Sequence, residues 1–157
     1  MQDPKISTNP IRIIDLLIFN LISNKNRMNK QKPTTHILVA AIICAVYVAL
    51  GAFGAHGLES KLSIDQLDTY NTGLRYLIIH ALGLLAINLT FIVKDTFSIL
   101  TNTFIYTGMV FFSLSLVLHA TKDLLGIELD VFAMFAPIGG LCYIVGWLLF
   151  ANTVRKS

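Results

Sequence analysis

Uncharged, mostly apolar residues gather into four long blocks separated by short charged segments. The blocks are Pro33–Leu58 (26 residues), Tyr76–Val93 (18), Thr96–Thr121 (26) and Val131–Val154 (24). About 20 residues at ~1.5 Å rise cross the hydrocarbon core of a bilayer. Each block is therefore a transmembrane helix by length, with spans expected at 37–55, 74–93, 104–120 and 131–150. The second block has an amphipathic lead-in. Ser63-Ile64-Asp65-Gln66 has the form of a capping box, and Leu67, Tyr70, Leu74, Leu77 and Ile78 follow at helical spacing, so one helix is expected from Ser63 to Val93. Ile11–Ile22 is apolar over only 12 residues, too short to span. As a helix it would set Arg12, Asp15, Asn20 and Ser23 on one side and Ile13, Ile14, Leu17, Phe19 and Leu21 on the other, which suits a helix lying in the interface plane. The pattern predicts an all-α, integral membrane four-helix bundle over residues 31–157. Residues 1–30 form an N-terminal extension with a short interfacial helix.

Finer features sit within these blocks. Ala41, Ala45 and Ala49 recur every fourth residue of span one, and Gly51 and Ala55 continue a small stripe. Such spacing lets helix backbones approach closely where lipid supplies no hydrophobic drive. Lys94–Asn102 reads as a turn between spans two and three, and Lys122–Asp130 joins three to four. Pro137 falls inside the fourth block, where it would kink the helix, and Trp147 is placed near its last turn as an interface anchor.

Composition agrees with a membrane protein. Of 157 residues only 13% are charged and 55% are hydrophobic, with mean hydropathy +0.69, where a soluble domain carries about 25% charged residues. A soluble globular fold, a disordered tail, a disulfide scaffold and most soluble enzymes are excluded. The net charge of +3 hides an asymmetry: residues 1–36 carry six Lys/Arg against two Asp, and residues 37–157 carry six against seven Asp/Glu. No basic residue has an aromatic platform beside it, so nucleic acid is not the expected partner. Lys25, Arg27, Lys30, Lys32, Lys94, Arg155 and Lys156 fall on one side of the four spans, and Lys61, Arg75 and Lys122 on the other. Seven against three predicts both termini in the cytoplasm, in a bacterial inner membrane. Ala52-Phe53-Gly54 only weakly matches a signal cleavage site, and three further spans follow, so span one is expected to remain. Met28 offers an alternative start that would remove residues 1–27.

Chemistry-bearing residues are few. By this topology His56, His80 and His119 share the outer layer near Glu59 and Asp123, while His36 lies at the inner end of span one. Histidines from different helices can bind metal or haem iron or relay protons. Equally, they can serve as polar tips at the interface or as hydrogen-bond donors across a helix contact. His56 and His80 are the metal candidates, and no metal or cofactor is assigned. Cys44 and Cys142 each lie within a span without metal-type spacing. Asn88, Thr90, Ser113 and Ser115 are expected to bond between helices. No GxSxG, GxxxxGK[ST], HExxH or GxGxxG is present, and no carboxylate lies at mid-depth in any span, which weakens an ion-driven transporter.

Gly51-Ala52-Phe53-Gly54-Ala55-His56-Gly57-Leu58 resembles the most specific motif of the domain of unknown function 423 family. These are small multi-pass membrane proteins, widespread in bacteria and with relatives in animal mitochondria. Three further matches follow in order: Tyr76 with His80-Ala81-Leu82, Phe112-Ser113, and Pro137-Ile138-Gly139-Gly140 leading to Gly146-Trp147. The resemblance covers about residues 37–150. Ala136 stands where the family pattern has Thr, and His119 lies outside the motifs. The resemblance implies four membrane helices and no established reaction. It marks Gly51, Phe53, Gly54, His56, Gly57, Tyr76, His80, Pro137, Gly139, Gly140, Gly146 and Trp147 as motif residues, whose small members are expected to pack where spans one, two and four meet. The expected function is that of a non-enzymatic membrane protein acting through helix contacts with itself or a membrane-protein partner. An oligomeric channel or carrier comes second, and a His-liganded metal or haem redox component third.

Overall fold

A computed structural model describes residues 10–126 and 134–157, the side chains of Pro10, Ile11, Ile13 and residues 24–31 excepted. Four helices are long and apolar enough to cross a membrane: Lys32–Leu58, Ile64–Val93, Ile99–Ala120 and Ala136–Lys156. We call them in order the span of α1 (α1 itself is Pro10–Phe53, continued by a wide turn over Gly54–Leu58), α2 (Ile64–Val93), α3 (Ile99–Ala120) and α5 (Ala136–Lys156). A single turn, α4 (Lys122–Leu125), follows α3. The apolar stretch Ile14–Ser23 lies on the same continuous helix as span one, with Leu16, Leu17, Phe19 and Leu21 exposed. The sequence treated the two as separate elements. Positions 1–9 and the Met28 side chain lie outside the described residues.

Local signals account for the helix ends. The Ser63 hydroxyl accepts from the Gln66 N–H at 3.3 Å, and Gln66 Oε1 accepts from the Ser63 N–H at 2.9 Å, closing the capping box. Gln66 also donates to Asp123 at 2.6 Å, tying the start of α2 to α4. Between α2 and α3 the chain reverses through Asp95, whose φ of 50° is left-handed, a conformation Asp tolerates better than most residues. Ser98 then caps α3 by accepting from the Thr101 N–H at 3.2 Å.

Two span boundaries differ from the sequence reading. The turn after α2 ends at Ser98, so Asn102 belongs to α3. Its polar run Thr101–Thr103 resembles a loop only while its partner is unknown. Asn88 Nδ2 donates to Asn102 Oδ1 at 2.7 Å, and both side chains are fully buried. At the other end, residues 131–133 lie outside the description and α5 begins at Ala136. Pro137 therefore occupies the first turn of α5, where its missing N–H would be unsatisfied anyway, and it kinks no span.

The bundle puts its large side chains outward. Leu38, Ile42, Leu82, Leu89, Val110, Leu114, Leu141 and Leu148 are exposed to the lipid side. Glycines and small polar residues sit at the contacts. A Cβ on Gly73 would lie 2.8 Å from the Ser113 carbonyl oxygen, and one on Gly146 2.7 Å from Ile105 Cδ1. On Gly139 it would fall inside the backbone of Phe111 and Phe112. Thus α2 and α5 both pack on α3, while α1 packs on α2 through Ala40, Ile43, Cys44, Tyr47 and Leu50. The motif glycines of span four meet span three, a correction to the expected junction of spans one, two and four. Only the approach of two backbones decides which neighbour a glycine admits.

Two stability outcomes follow. Asn88→Leu leaves Asn102 Oδ1 buried without its donor, while Nδ2 keeps the Ser98 carbonyl, and should cost about 1–3 kcal/mol. The double change Asn88→Leu/Asn102→Leu should recover part of that loss in thermal melts of detergent-solubilised protein. Gly139→Ala should destabilise by about 1–3 kcal/mol through overpacking. Gly140→Ala, whose Cβ would stand 3.7 Å from the nearest Phe112 carbon, should change the melt by less than about 0.5 kcal/mol.

Candidate functional site

Three of the four motifs converge on one recess in the half of the bundle where α3 ends and α5 begins. It is lined by Tyr76 and His80 from α2, Phe112 from α3, and Gly140, Tyr143, Ile144 and Trp147 from α5, and holds about 330 Å³. His80 lies five residues beyond Arg75, about 7–8 Å further along α2.

The geometry begins with a wide turn in α3. Met109–Leu114 runs with one extra residue per turn, which displaces the ordinary backbone bonds of this stretch. Ser115 Oγ lies 2.6 Å from the Phe111 carbonyl and 2.9 Å from that of Phe112, supplying a donor for the disturbed carbonyls. The same stretch receives the Gly139 backbone and holds Ser113 against Gly73. Tyr143 then lies across Gly108, where a Cβ would collide with its ring, and its hydroxyl pairs with Ser113 Oγ at 2.9 Å. Placed this way, the Tyr143 ring stacks on His80 with centroids 3.4 Å apart and planes 11° from parallel.

His80 is only 6% exposed. Its Nδ1 lies 2.8 Å from the Tyr76 carbonyl oxygen, which can only accept, so Nδ1 carries the proton. Tyr76 lies beside this stack, its ring centroid 6.0 Å from His80 and 6.5 Å from Tyr143, and is tilted against Phe112 at 4.5 Å. Trp147 forms a wall that reaches the mouth. Its indole rests where Gly83 has no side chain and meets His80 at 6.4 Å and Phe150 at 6.1 Å. Trp147 lies nine residues before Lys156 and against the middle of α2, so it is a packing group at mid-helix and not the interface anchor the sequence suggested.

The remaining motif residues form a separate cluster. Gly51-Ala52-Phe53-Gly54-Ala55-His56-Gly57-Leu58 ends α1 in a second wide turn over Gly54–Leu58. Gly54 is buried against Tyr70, whose hydroxyl donates to the Leu50 carbonyl at 2.8 Å. Gly57 clears the Phe53 ring one turn earlier, and a Cβ on Gly51 would meet nothing within 4 Å. His56 is exposed and takes no part in the His80 recess. His119 is half-buried at the end of α3. Among the described residues no three His, Cys, Asp or Glu side chains are grouped to hold a metal.

Pairs that the sequence did not single out complete the picture. His36 Nδ1 lies 3.1 Å from the Tyr106 hydroxyl, and its ring contacts those of Phe97 and Tyr106, so this histidine joins α1 to α3. Of the four polar residues expected to bond between helices, Asn88 and Ser113 do. Thr90 and Ser115 bond within their own helices. Tyr143 carried no signal beyond an aromatic residue four positions before Trp147.

Comparison with known proteins places this architecture. Residues 50–140 match the family described as Protein of unknown function (DUF423). The chain is 40% identical over 116 residues to UPF0382 membrane protein SSP2132 of Staphylococcus saprophyticus, covering 72% of this chain and 90% of that one. It is 33% identical over 124 residues to UPF0382 membrane protein YwdK of Bacillus subtilis, covering 76% and 95%. A UPF0382 membrane protein of Haemophilus influenzae is 33% identical over 128 residues, covering 82% and 97%. No solved structure matches. The four spans, the motif residues of the recess and these relatives together establish that the chain belongs to the DUF423 family of multi-pass membrane proteins.

Proposed function

We propose that this protein is non-enzymatic and acts through helix contacts of α1, pairing with a second copy of the chain in a bacterial inner membrane. The observation that carries this reading is the one-sided packing of α1. Ala40 is fully buried against α2, whereas Ala41, Ala45 and Ala49 are all exposed along an adjacent strip. Gly51, which continues the stripe, has open space beside it. Small residues let a neighbouring backbone come close and gain van der Waals contact, the main source of association between helices in lipid. Large lipid-facing residues occupy the corresponding outward positions of α2 and α5, such as Leu82, Leu89, Leu141 and Leu148. A conduit through one copy is disfavoured, because Leu84, Ile87, Phe91 and Ile105, all fully buried, occupy the bundle interior. The excess of Lys and Arg on the side of both termini supports a cytoplasmic location for them.

Disulfide trapping tests the pairing. In a Cys44→Ser/Cys142→Ser background, Ala41→Cys, Ala45→Cys and Ala49→Cys should give covalent dimers in membranes, and Leu89→Cys and Leu148→Cys should not. Equal trapping at Leu148→Cys, or none along α1, would sink the reading. For orientation, a green fluorescent protein fused after Ser157 should fluoresce and an alkaline phosphatase fused there should be inactive. The reverse pattern would invert the topology.

A further inference from the structure

We propose that the His80 recess binds a membrane-dissolved phenol or hydroquinone, whose hydroxyl donates a hydrogen bond to His80 Nε2. This goes beyond the α1 pairing and does not depend on it. The first argument is an acceptor without a donor. With Nδ1–H committed to the Tyr76 carbonyl, the neutral ring leaves Nε2 as a lone-pair acceptor. Among the described residues no protein group bonds to Nε2, and Nε2 is not among the polar atoms sealed from the surface, although His80 as a whole is 94% buried. It therefore opens into the recess. A buried acceptor of this kind wants a donor, and a recess opening toward lipid must find one in a molecule dissolved there.

Shape and charge narrow the class. The walls are flat rings from Tyr76, Phe112, Tyr143 and Trp147, suited to the face and edge of a planar guest. The volume of about 330 Å³ lies at the small end of ligand pockets, which run from about 300 to 1,000 Å³, and suits one ring with its tail left outside. Tyr76, Ile144 and Trp147 are 39%, 57% and 37% exposed at the mouth, on the lipid-facing side of α2 and α5. Among the described residues no Asp, Glu, Lys or Arg lines the recess, which favours a neutral guest. A quaternary ammonium would satisfy the aromatic rings but leave Nε2 unpaired. An oxidised quinone, with carbonyl oxygens alone, brings no donor, so the site discriminates in favour of the reduced form.

Trp147 is the only tryptophan in the chain and forms part of the recess, so its emission reports occupancy directly. Purified full-length protein is titrated anaerobically with a decyl-tailed benzohydroquinone, with the matching benzoquinone, and with dodecanol as a ringless alcohol. The hydroquinone should give a saturable change in emission, with the quinone and the alcohol each about five- to tenfold weaker, the worth of one hydrogen bond or of ring stacking. His80→Phe, which keeps a ring and removes the acceptor, should weaken hydroquinone binding by a similar factor and abolish the redox preference. Gly140→Val fills the recess at ordinary contact distance from Phe112, and should eliminate binding while the protein elutes as wild type does. Equal affinity for both redox forms, dodecanol binding as tightly as hydroquinone, or saturable binding that survives Gly140→Val would each overturn the proposal. If His80→Phe does not fold, the redox preference of the wild type and the Gly140→Val arm still decide.

Discussion

The recess half of this bundle depends on how closely the backbone of α5 lies on that of α3. At Gly139 the two chains approach until even a methyl group would enter the Phe111–Phe112 backbone. In lipid there is no hydrophobic force to press helices together, so contact at this range, with its dense van der Waals packing, is a main source of adhesion. The wide turn over Met109–Leu114 lies at that contact, and Ser115 provides a donor where the turn disturbs the carbonyls. Tyr143 is then carried over Gly108 and onto His80. The recess follows from glycines at these close approaches and one wide turn.

The same economy runs through the rest of the interior. Polar groups that would be costly in hydrocarbon are paired, as Asn88 is with Asn102 and Ser113 with Tyr143. Glycines mark where a ring or a backbone must pass, such as Gly83 beneath Trp147 and Gly54 beside Tyr70. His80 breaks the pattern: one ring nitrogen is paired and the other is not. At membrane depth an imidazole is expensive, and a polar group kept there at such cost is a functional candidate by default.

Helix α1 packs along one side only. It contributes apolar residues to α2 along one side, ties to α3 through His36 and Tyr106, and leaves its alanine stripe uncovered. The two parts of the protein thus present different surfaces to the bilayer: a small-residue strip on α1, and an aromatic recess between α2 and α5. One suits another helix and the other suits a small molecule, because close backbone approach and ring stacking demand different shapes.

Read alone, the sequence determined what local physics controls. Apolar block length set the number of spans, Ser63 and Gln66 set the start of α2, and the recurrence of Gly and Ala marked positions of close approach. It misplaced what depends on a distant partner. Thr101–Thr103 looked like a loop because the burial of Asn102 requires Asn88 fourteen residues away. Pro137 looked like a kink, and Trp147 like an anchor, because apolar composition does not say where within a block a helix begins or how deep a residue sits. The alanine stripe was legible, but that it faces outward was not, since each side of an apolar helix reads alike to a hydropathy count. Only the tertiary structure decided that Tyr76, His80, Phe112, Gly140 and Trp147 share one recess. Helix periodicity fixes which residues share a face, whereas the neighbour that face meets is chosen by backbone approach between segments remote in the chain.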